Sequence, residues 1–327
     1  MNVLVTGGAG YIGSATVEAL RARGDRVTVI DNLSTGHRAA LFDDVQFCHV
    51  DLLETASIID ILRDVQPDAI IHFAAFSLVG ESVANPEKYM WNNVNGTVSL
   101  LSAMRAAGTP AIVFSSTAAT YGEPQGIPIQ ETQPTNPCNP YGLTKRFMEQ
   151  AMEAYEPAYG IKSVRLRYFN ACGATELRGE DHRPESHLIP LVLQVALGQR
   201  ESVGIYGTDY NTPDGTCVRD YIHIQDLATA HLAAVDHLAR GGDSLTCNLG
   251  NGDGYSVRQV IDVCREVTGH DIPAVEAPRR PGDPGQLVAS AERARTVLGW
   301  TPAKPSLKDI VADAWRWHLA NPKGYPE

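Results

Sequence analysis

Short runs of β-branched and apolar residues recur at 2–6, 27–30, 45–50, 69–73, 111–115 and 161–168, and between them the apolar positions fall at helical spacing. Strand and helix in alternation predict a parallel sheet. Parallel neighbours need long crossovers, and those crossovers lay helices over both sheet faces. The expected fold class is therefore α/β, with a doubly wound parallel sheet over residues 1–170 and a second, smaller α/β domain over 171–327. The boundary is drawn near Phe169, where the texture changes to loops rich in Gly, Pro and Asp such as GATELRGEDHRPES and YGTDYNTPDGT. One later segment, 218–238, reads as a strand followed by a helix able to pack back onto the first domain. Internal repeats and low-complexity tracts are absent from the sequence.

Composition narrows the function. With 327 residues, 43% hydrophobic and 20% charged, the chain has the profile of a globular protein of about two domains. Its formal charge of -11 opposes a nucleic-acid backbone over most of the surface, so no nucleic-acid partner is expected. A few local arginines could still hold a small diphosphate by charge-assisted hydrogen bonds. The opening MNVLVTGGAGYIGS enters a strand at once and does not read as a secretory signal. No window is apolar for long enough to span a membrane, and a cytoplasmic location is expected. Six cysteines lie singly, at 48, 138, 172, 217, 247 and 264, and predict reduced thiols. No His/Cys grouping has evident ligand spacing, so no metal is expected.

The first crossover carries the strongest chemical signal. TGGAGYIG at 6–13 leaves the first strand and opens a helix, and its glycines fit either Gly7-x-x-Gly10-x-x-Gly13 or Gly8-x-Gly10-x-x-Gly13. Glycines allow a sharp turn and close approach of a pyrophosphate, and the helix start supplies unpaired amides. An ordinary tight turn would look the same in isolation. Asp31, ending the second strand 18 residues beyond Gly13, argues for a dinucleotide-binding Rossmann unit. A carboxylate there accepts from both ribose hydroxyls and repels a 2′-phosphate, which favours NAD over NADP.

A second signal lies in NPYGLTKRFMEQAMEAY at 139–155, which predicts a helix with Asn139 as cap and Pro140 in its first turn. Tyr141 and Lys145 then share a face, and a nearby ammonium, the helix dipole and an oxidised nicotinamide would all favour the phenolate. A half-exposed surface pair has the same spacing. The strand AIVFSSTAATYG places Ser115, Ser116 and Thr117 at the sheet edge where ligands bind, so a hydroxyl there could share a substrate proton with Tyr141.

These motifs resemble the nucleotide-sugar epimerases of the extended short-chain dehydrogenase/reductase family. The resemblance runs over nearly the whole chain. It includes VTGGAGYIGS, DNLS at 31–34, HFAA at 72–75, NNVNGT at 92–97, FSSTAATYG at 114–122, YGLTK at 141–145, RYFN at 167–170, VRDYIH at 218–223 and APRRPGD at 277–283. It implies inversion of carbon 4 of a UDP-hexose by transient oxidation to a 4-keto sugar, with tightly bound NAD. The first domain would bind NAD and the second the UDP-sugar.

The same resemblance implies roles for individual residues. Tyr141 would be the catalytic base and then acid, Thr117 its hydroxyl partner, and Lys145 the group that bonds the nicotinamide ribose. Gly7, Gly10, Tyr11, Ile12, Asp31, Asn32, Asp51, Leu52, Phe73, Ala74, Ala75, Asn92, Ser115, Tyr168 and Phe169 would contact the cofactor together with Tyr141 and Lys145. Asn170, His187, Leu188, Tyr206, Arg219, Arg280 and Asp283 would hold the UDP-sugar with Thr117 and Tyr141. Planar guanidinium forks suit a diphosphate, and a tyrosine face suits uracil, although solvated arginines and a core-lining aromatic would read alike. Ser77 replaces a lysine found in some relatives near the nicotinamide.

Other readings are weaker. Related dehydratases and decarboxylases need an acid beside the strand-end hydroxyl, and here Ala118 and Ala119 follow Thr117. A non-catalytic NAD sensor would need no acid/base set. Leu287 falls at a position that gates the sugar pocket in similar enzymes, so N-acetylated UDP-hexosamines are an alternative substrate; a UDP-pentose is a further alternative. The resemblance also implies a homodimer, in which the helix after Pro86 and the Tyr141 helix pair across a twofold axis.

Overall fold

In the computed structural model, which describes residues 1–280 and 283–326, the predicted alternation becomes a regular series. It runs β1 (Asn2–Thr6), α1 (Tyr11–Arg23), β2 (Arg26–Asp31), β3 (Gln46–His49), α2 (Thr55–Val65), β4 (Ala69–His72), α3 (Val79–Ala84), α4 (Pro86–Tyr89), α5 (Gly96–Ala107), β5 (Ala111–Thr117), α6 (Pro140–Tyr159) and β6 (Lys162–Tyr168). Helices cover both faces of this sheet, so its central strands are almost wholly apolar instead of alternating. Val3, Val5, Ile71 and Val113 pack on one side, and Leu4, Ile70, Ile112 and Phe114 on the other.

The strands form one parallel sheet in the order β3-β2-β1-β4-β5-β6-β11. Strand order reverses between β1 and β4, where crossovers leave to opposite faces and open a crevice beyond the strand C-termini. Every element carrying a predicted cofactor residue except the Asn92 segment and the helices ends at that edge.

The seventh strand departs from the expected division of the chain near residue 170. The remaining elements are β7 (Asn170–Cys172), α7 (Leu188–Ala196), β8 (Val203–Tyr206), β9 (Val218–Arg219), β10 (Tyr221–His223), α8 (Ile224–Ala239), β11 (Leu245–Leu249), β12 (Tyr255–Ser256), α9 (Val257–Thr268), β13 (Ala274–Ala277), β14 (Gln286–Leu287), α10 (Glu292–Leu298) and α11 (Leu307–Ala320). Of these, β11 pairs with β6 in the large sheet. Helix α8 packs on α1 and on β4 to β6, and α10 and Trp300 join the same core. The chain thus crosses between the two bodies several times, which the short apolar run LTCNL could not reveal.

The second body is built from α7, α9 and α11 around Ile189, Leu193, Val260, Ile261, Ile310 and Val311, with β8 and β13 alongside. Asp220 fastens the crossing loops. Its buried carboxylate accepts from the amides of Asn251 at 2.8 Å, Gly252 at 3.0 Å and Ala289 at 3.1 Å. No helix among the described residues is long and apolar enough to cross a membrane.

Candidate active site

The turn after β1 takes the first of the two possible glycine registers, since Gly7 holds φ +72°, a conformation L side chains rarely adopt. A Cβ on Gly7 would meet the Ala74 amide nitrogen at 2.5 Å, and one on Gly13 would meet the Gly7 carbonyl oxygen at 2.1 Å. Over Gly10 the space is open, with only the Gly7 oxygen as near as 3.4 Å. Gly10 also starts α1 with no side-chain cap, so the first-turn amides around Ile12 lack intrahelical acceptors and point at that space. This is a cradle of the size and polarity a diphosphate needs, and it fits a dinucleotide.

Most of the other residues expected to contact the cofactor lie at or just beyond the neighbouring strand ends. Asp31 accepts from the amides of Ala9 at 3.0 Å and Leu33 at 2.8 Å. Burial raises its pKa, and those two bonds pull against the rise. Asn32 donates to Asp51 at 2.7 Å, joining the edges beyond β2 and β3 next to Leu52. Phe73, Ala74 and Ala75 extend β4, and the Phe73 ring lies against His231 at 4.6 Å. The Tyr11 hydroxyl is engaged by the Gly173 carbonyl at 2.6 Å, so what Tyr11 offers a dinucleotide is its main chain. Asn92 lies half-buried on the π-helical turn before α5, whereas its neighbour Asn93 is buried and ties that turn to Phe76 and Thr144. Ser77 is exposed.

At the end of β5 the three hydroxyls separate in role. Ser115 is hydrogen-bonded to the Tyr168 phenol, just before Phe169. Ser116 donates to Glu149 at 2.6 Å. Thr117 accepts from the Ala119 amide at 3.2 Å, and its hydroxyl is the one of the three that acts on the Tyr141 phenol, pulling its pKa down. The approach is close because residue 142 is glycine, since a Cβ there would meet the Ala119 carbonyl oxygen at 2.5 Å. Helix α6 starts as expected, with the Asn139 side chain accepting from the Gly142 amide at 2.9 Å and Pro140 in the first turn.

Lys145 occupies a different place from the one its spacing suggests. Its ammonium donates to the Ser115 carbonyl at 2.8 Å and sits 4.9 Å from the Phe114 ring centre. Burial pushes Lys145 down to about 7, with Glu149 opposing. Burial also pushes the Tyr141 phenol up to about 12, against its bond with Thr117. The expectation of a lowered phenol pKa is therefore not met by the protein alone, because desolvation of both groups outweighs a favourable pairing.

A charge network beneath these residues is invisible in the linear sequence. Arg167 binds both oxygens of Glu149, at 2.8 and 2.7 Å, and stacks over Tyr121, whose hydroxyl donates to Asn248 at 2.7 Å. The buried pair pins α6 to β6 and so fixes where Tyr141 stands.

The residues expected to hold the second ligand lie on β8, β9, β14 and the start of α7 and in the loops beside them. Arg219 on β9 pairs with Asp283 and with the Pro284 carbonyl, and Leu287 on β14 lies opposite it in register. The Arg280 guanidinium covers the Tyr206 ring at 4.0 Å. Pro281 and Gly282 of the same run lie outside the described residues. Asn170 donates to the Asp220 carbonyl at 2.9 Å. Leu188 is the first residue of α7 and His187 its cap. Burial alone would lower His187, but Glu180 and Glu185 push it up to about 10.

Residues 3–250 match the family described as "NAD dependent epimerase/dehydratase family". The chain belongs to this family. The chain also matches individual proteins over nearly its whole length. A UDP-glucose 4-epimerase of Halalkalibacterium halodurans is 57% identical over 327 residues, 99% of this chain and 98% of the relative. The crystal structure of UDP-glucose 4-epimerase from Brucella ovis in complex with NAD superposes with a TM-score of 0.94 at 46% identity, covering 97% of this chain and 98% of that one. The Bifidobacterium longum enzyme in complex with NAD+ and UDP gives 0.94 at 40%, covering 99% and 100%.

Proposed function

We propose that this chain inverts carbon 4 of a UDP-hexose, interconverting UDP-glucose and UDP-galactose, with NAD as a retained cofactor. The observation that carries this reading is that, of the three strand-end hydroxyls, Thr117 is the one whose side chain acts on the Tyr141 phenol, Ser115 and Ser116 being bonded to Tyr168 and Glu149. A proton acceptor and a hydroxyl beside a dinucleotide cradle suit removal of a proton from an alcohol that is losing a hydride. When bound, NAD supplies the oxidant that takes that hydride and gives it back.

The chain's own residues do the rest. Asp31 receives the adenosine ribose hydroxyls, and its charge disfavours a 2′-phosphate. Lys145 keeps two donors beyond its bond to Ser115, enough to hold the nicotinamide ribose. Tyr141 takes the 4-hydroxyl proton and later returns it, with Thr117 sharing the hydrogen bond. Arg219 and Arg280 clamp the diphosphate, with Asp283 fixing the Arg219 fork, while Tyr206 faces uracil and Asn170, His187 and Leu188 close the α7 side. Elimination would need a carboxylic acid next to Thr117, and Ala118 and Ala119 stand there instead.

The experiment is product analysis after mixing the purified chain with UDP-galactose and no added NAD. UDP-glucose is expected to accumulate to equilibrium without net NADH. Formation of NADH in step with product, or no product at all, contradicts the proposal. The same assay with UDP-GalNAc tests Leu287 as a permissive gate. Turnover within a few tens-fold of UDP-galactose is expected, and a deficit of hundreds-fold excludes it.

A homodimer is part of the same reading. Val83, Trp91, Val98 and Phe147 are exposed on α3, the turn before α5, α5 and α6, a set of large apolar side chains suited to a twofold helical interface. Light scattering distinguishes a particle of twice 35.3 kDa from a monomer. The free thiols of Cys48, Cys172, Cys217, Cys247 and Cys264 accord with the reducing cytoplasm.

A further inference from the structure

Four side chains that sequence spacing did not single out converge between the phosphate turn and α7. The run Glu180-x-His182-x-x-Glu185-x-His187 folds so that one ligand atom from each lies within 4.8 Å of the others. His182 Nδ1 is 3.1 Å from Glu180 Oε1 and 3.7 Å from Glu185 Oε2. His187 Nδ1 is 2.9 Å from an oxygen of each glutamate. A tetrahedron with metal–ligand bonds of about 2.0–2.2 Å has edges of roughly 3.3–3.6 Å. The His–Glu separations, which involve both oxygens of Glu185, run from 2.9 to 3.7 Å, so a metal would need the three shorter ones to open by a few tenths of an ångström. No linear spacing marks this group, because the intervals are irregular and only the bends of the loop bring the four together.

We propose that Glu180, His182, Glu185 and His187 form a structural site for a divalent transition metal of the Zn2+ class. Two imidazoles and two carboxylates are a borderline donor set, suited to Zn2+ and not to the all-oxygen preference of Mg2+ or Ca2+. The amides of Ser186 and His187 donate to Glu185 Oε1 at 2.7 and 2.8 Å and orient that carboxylate. Glu180 is 5% exposed, so the cluster has a buried floor. Four protein ligands close the coordination sphere, which marks a clamp and not a catalytic centre. The clamp would fix loop 180–187 ahead of the α7 N-terminus, and through the edge-on contact of His182 with Tyr11, centroids 6.0 Å apart, it would brace the phosphate turn.

The test uses the full-length, untagged chain freed of metal by chelator and then titrated with Zn2+ and, separately, Co2+. One Zn2+ per chain with micromolar or tighter affinity, and an intense tetrahedral Co2+ visible spectrum, are expected. His182→Ala and Glu185→Gln should each weaken Zn2+ binding by more than about tenfold. If one variant does not fold, the other and the wild-type Co2+ spectrum decide. Absence of stoichiometric binding, a weak six-coordinate Co2+ spectrum, or affinity unchanged in the folded variants overturns the site. These readouts are metal content and ligand field, independent of epimerase activity.

Discussion

Tyr141→Phe is expected to lower kcat by about 10²- to 10⁴-fold, the range that a positioned acid/base group contributes, with little change in KM or in bound NAD. The substitution removes one oxygen and keeps the ring on the first turn of α6, whose cap and close approach through Gly142 do not involve the hydroxyl. Stability should therefore be nearly unchanged. Steady-state kinetics with UDP-galactose and the absorbance of retained dinucleotide make the check. A variant that keeps wild-type kcat would remove the phenol from the chemistry.

Lys145→Met should lower the rate by about 10²-fold at neutral pH and, more tellingly, change the shape of the pH profile. In the protein alone Lys145 titrates at about 7 and Tyr141 at about 12. Below pH 7 the two groups therefore carry two protons, and between 7 and 12 they carry one. In the one-proton form the amine is neutral, and because Lys145 bonds the Ser115 carbonyl and not the phenol, the Tyr141 proton would reach it through the ribose hydroxyls that Lys145 is proposed to hold instead of being given up to solvent. The wild-type rate should rise as pH increases through about 7 and then level off. Without the amine the phenol must ionise by itself, so the variant's rate should climb with pH through the whole accessible range, about tenfold for each unit. A variant whose profile superimposes on the wild type would show that Lys145 only fills space. Methionine keeps the length of the buried stem, so the comparison separates charge from packing.

Much of this site was legible before any coordinates, for identifiable reasons. The Gly7 turn, Asp31 and the Asn139–Pro140 helix start are local devices, each written into adjacent residues by backbone sterics or capping. Thr117 could be placed at the sheet edge because a strand's end follows from its apolar run. Long-range pairings were not legible in the same way. That Ser115 and Ser116 are consumed by Tyr168 and Glu149 depends on which strands neighbour which, and nothing in the linear order says that Arg167 reaches Glu149. Asp220 looked like part of a family motif, yet its carboxylate accepts three main-chain amides and holds crossing loops together. Strand β11 has no distinguishing signature, because five residues flanked by loops carry too little pattern to choose a sheet. The Lys145 position illustrates a separate limit, since four residues of helical spacing bring two side chains to one face without deciding which acceptor the ammonium takes.

The most direct test of hydride transfer within one bound molecule is to supply UDP-galactose deuterated at carbon 4 in ordinary water and to follow the UDP-glucose formed by NMR. The account predicts that deuterium remains at carbon 4 of the product while the hydroxyl at that carbon inverts. Replacement of that deuterium by solvent hydrogen, or its appearance at another carbon, would contradict the claim that the chain oxidises and re-reduces the same centre.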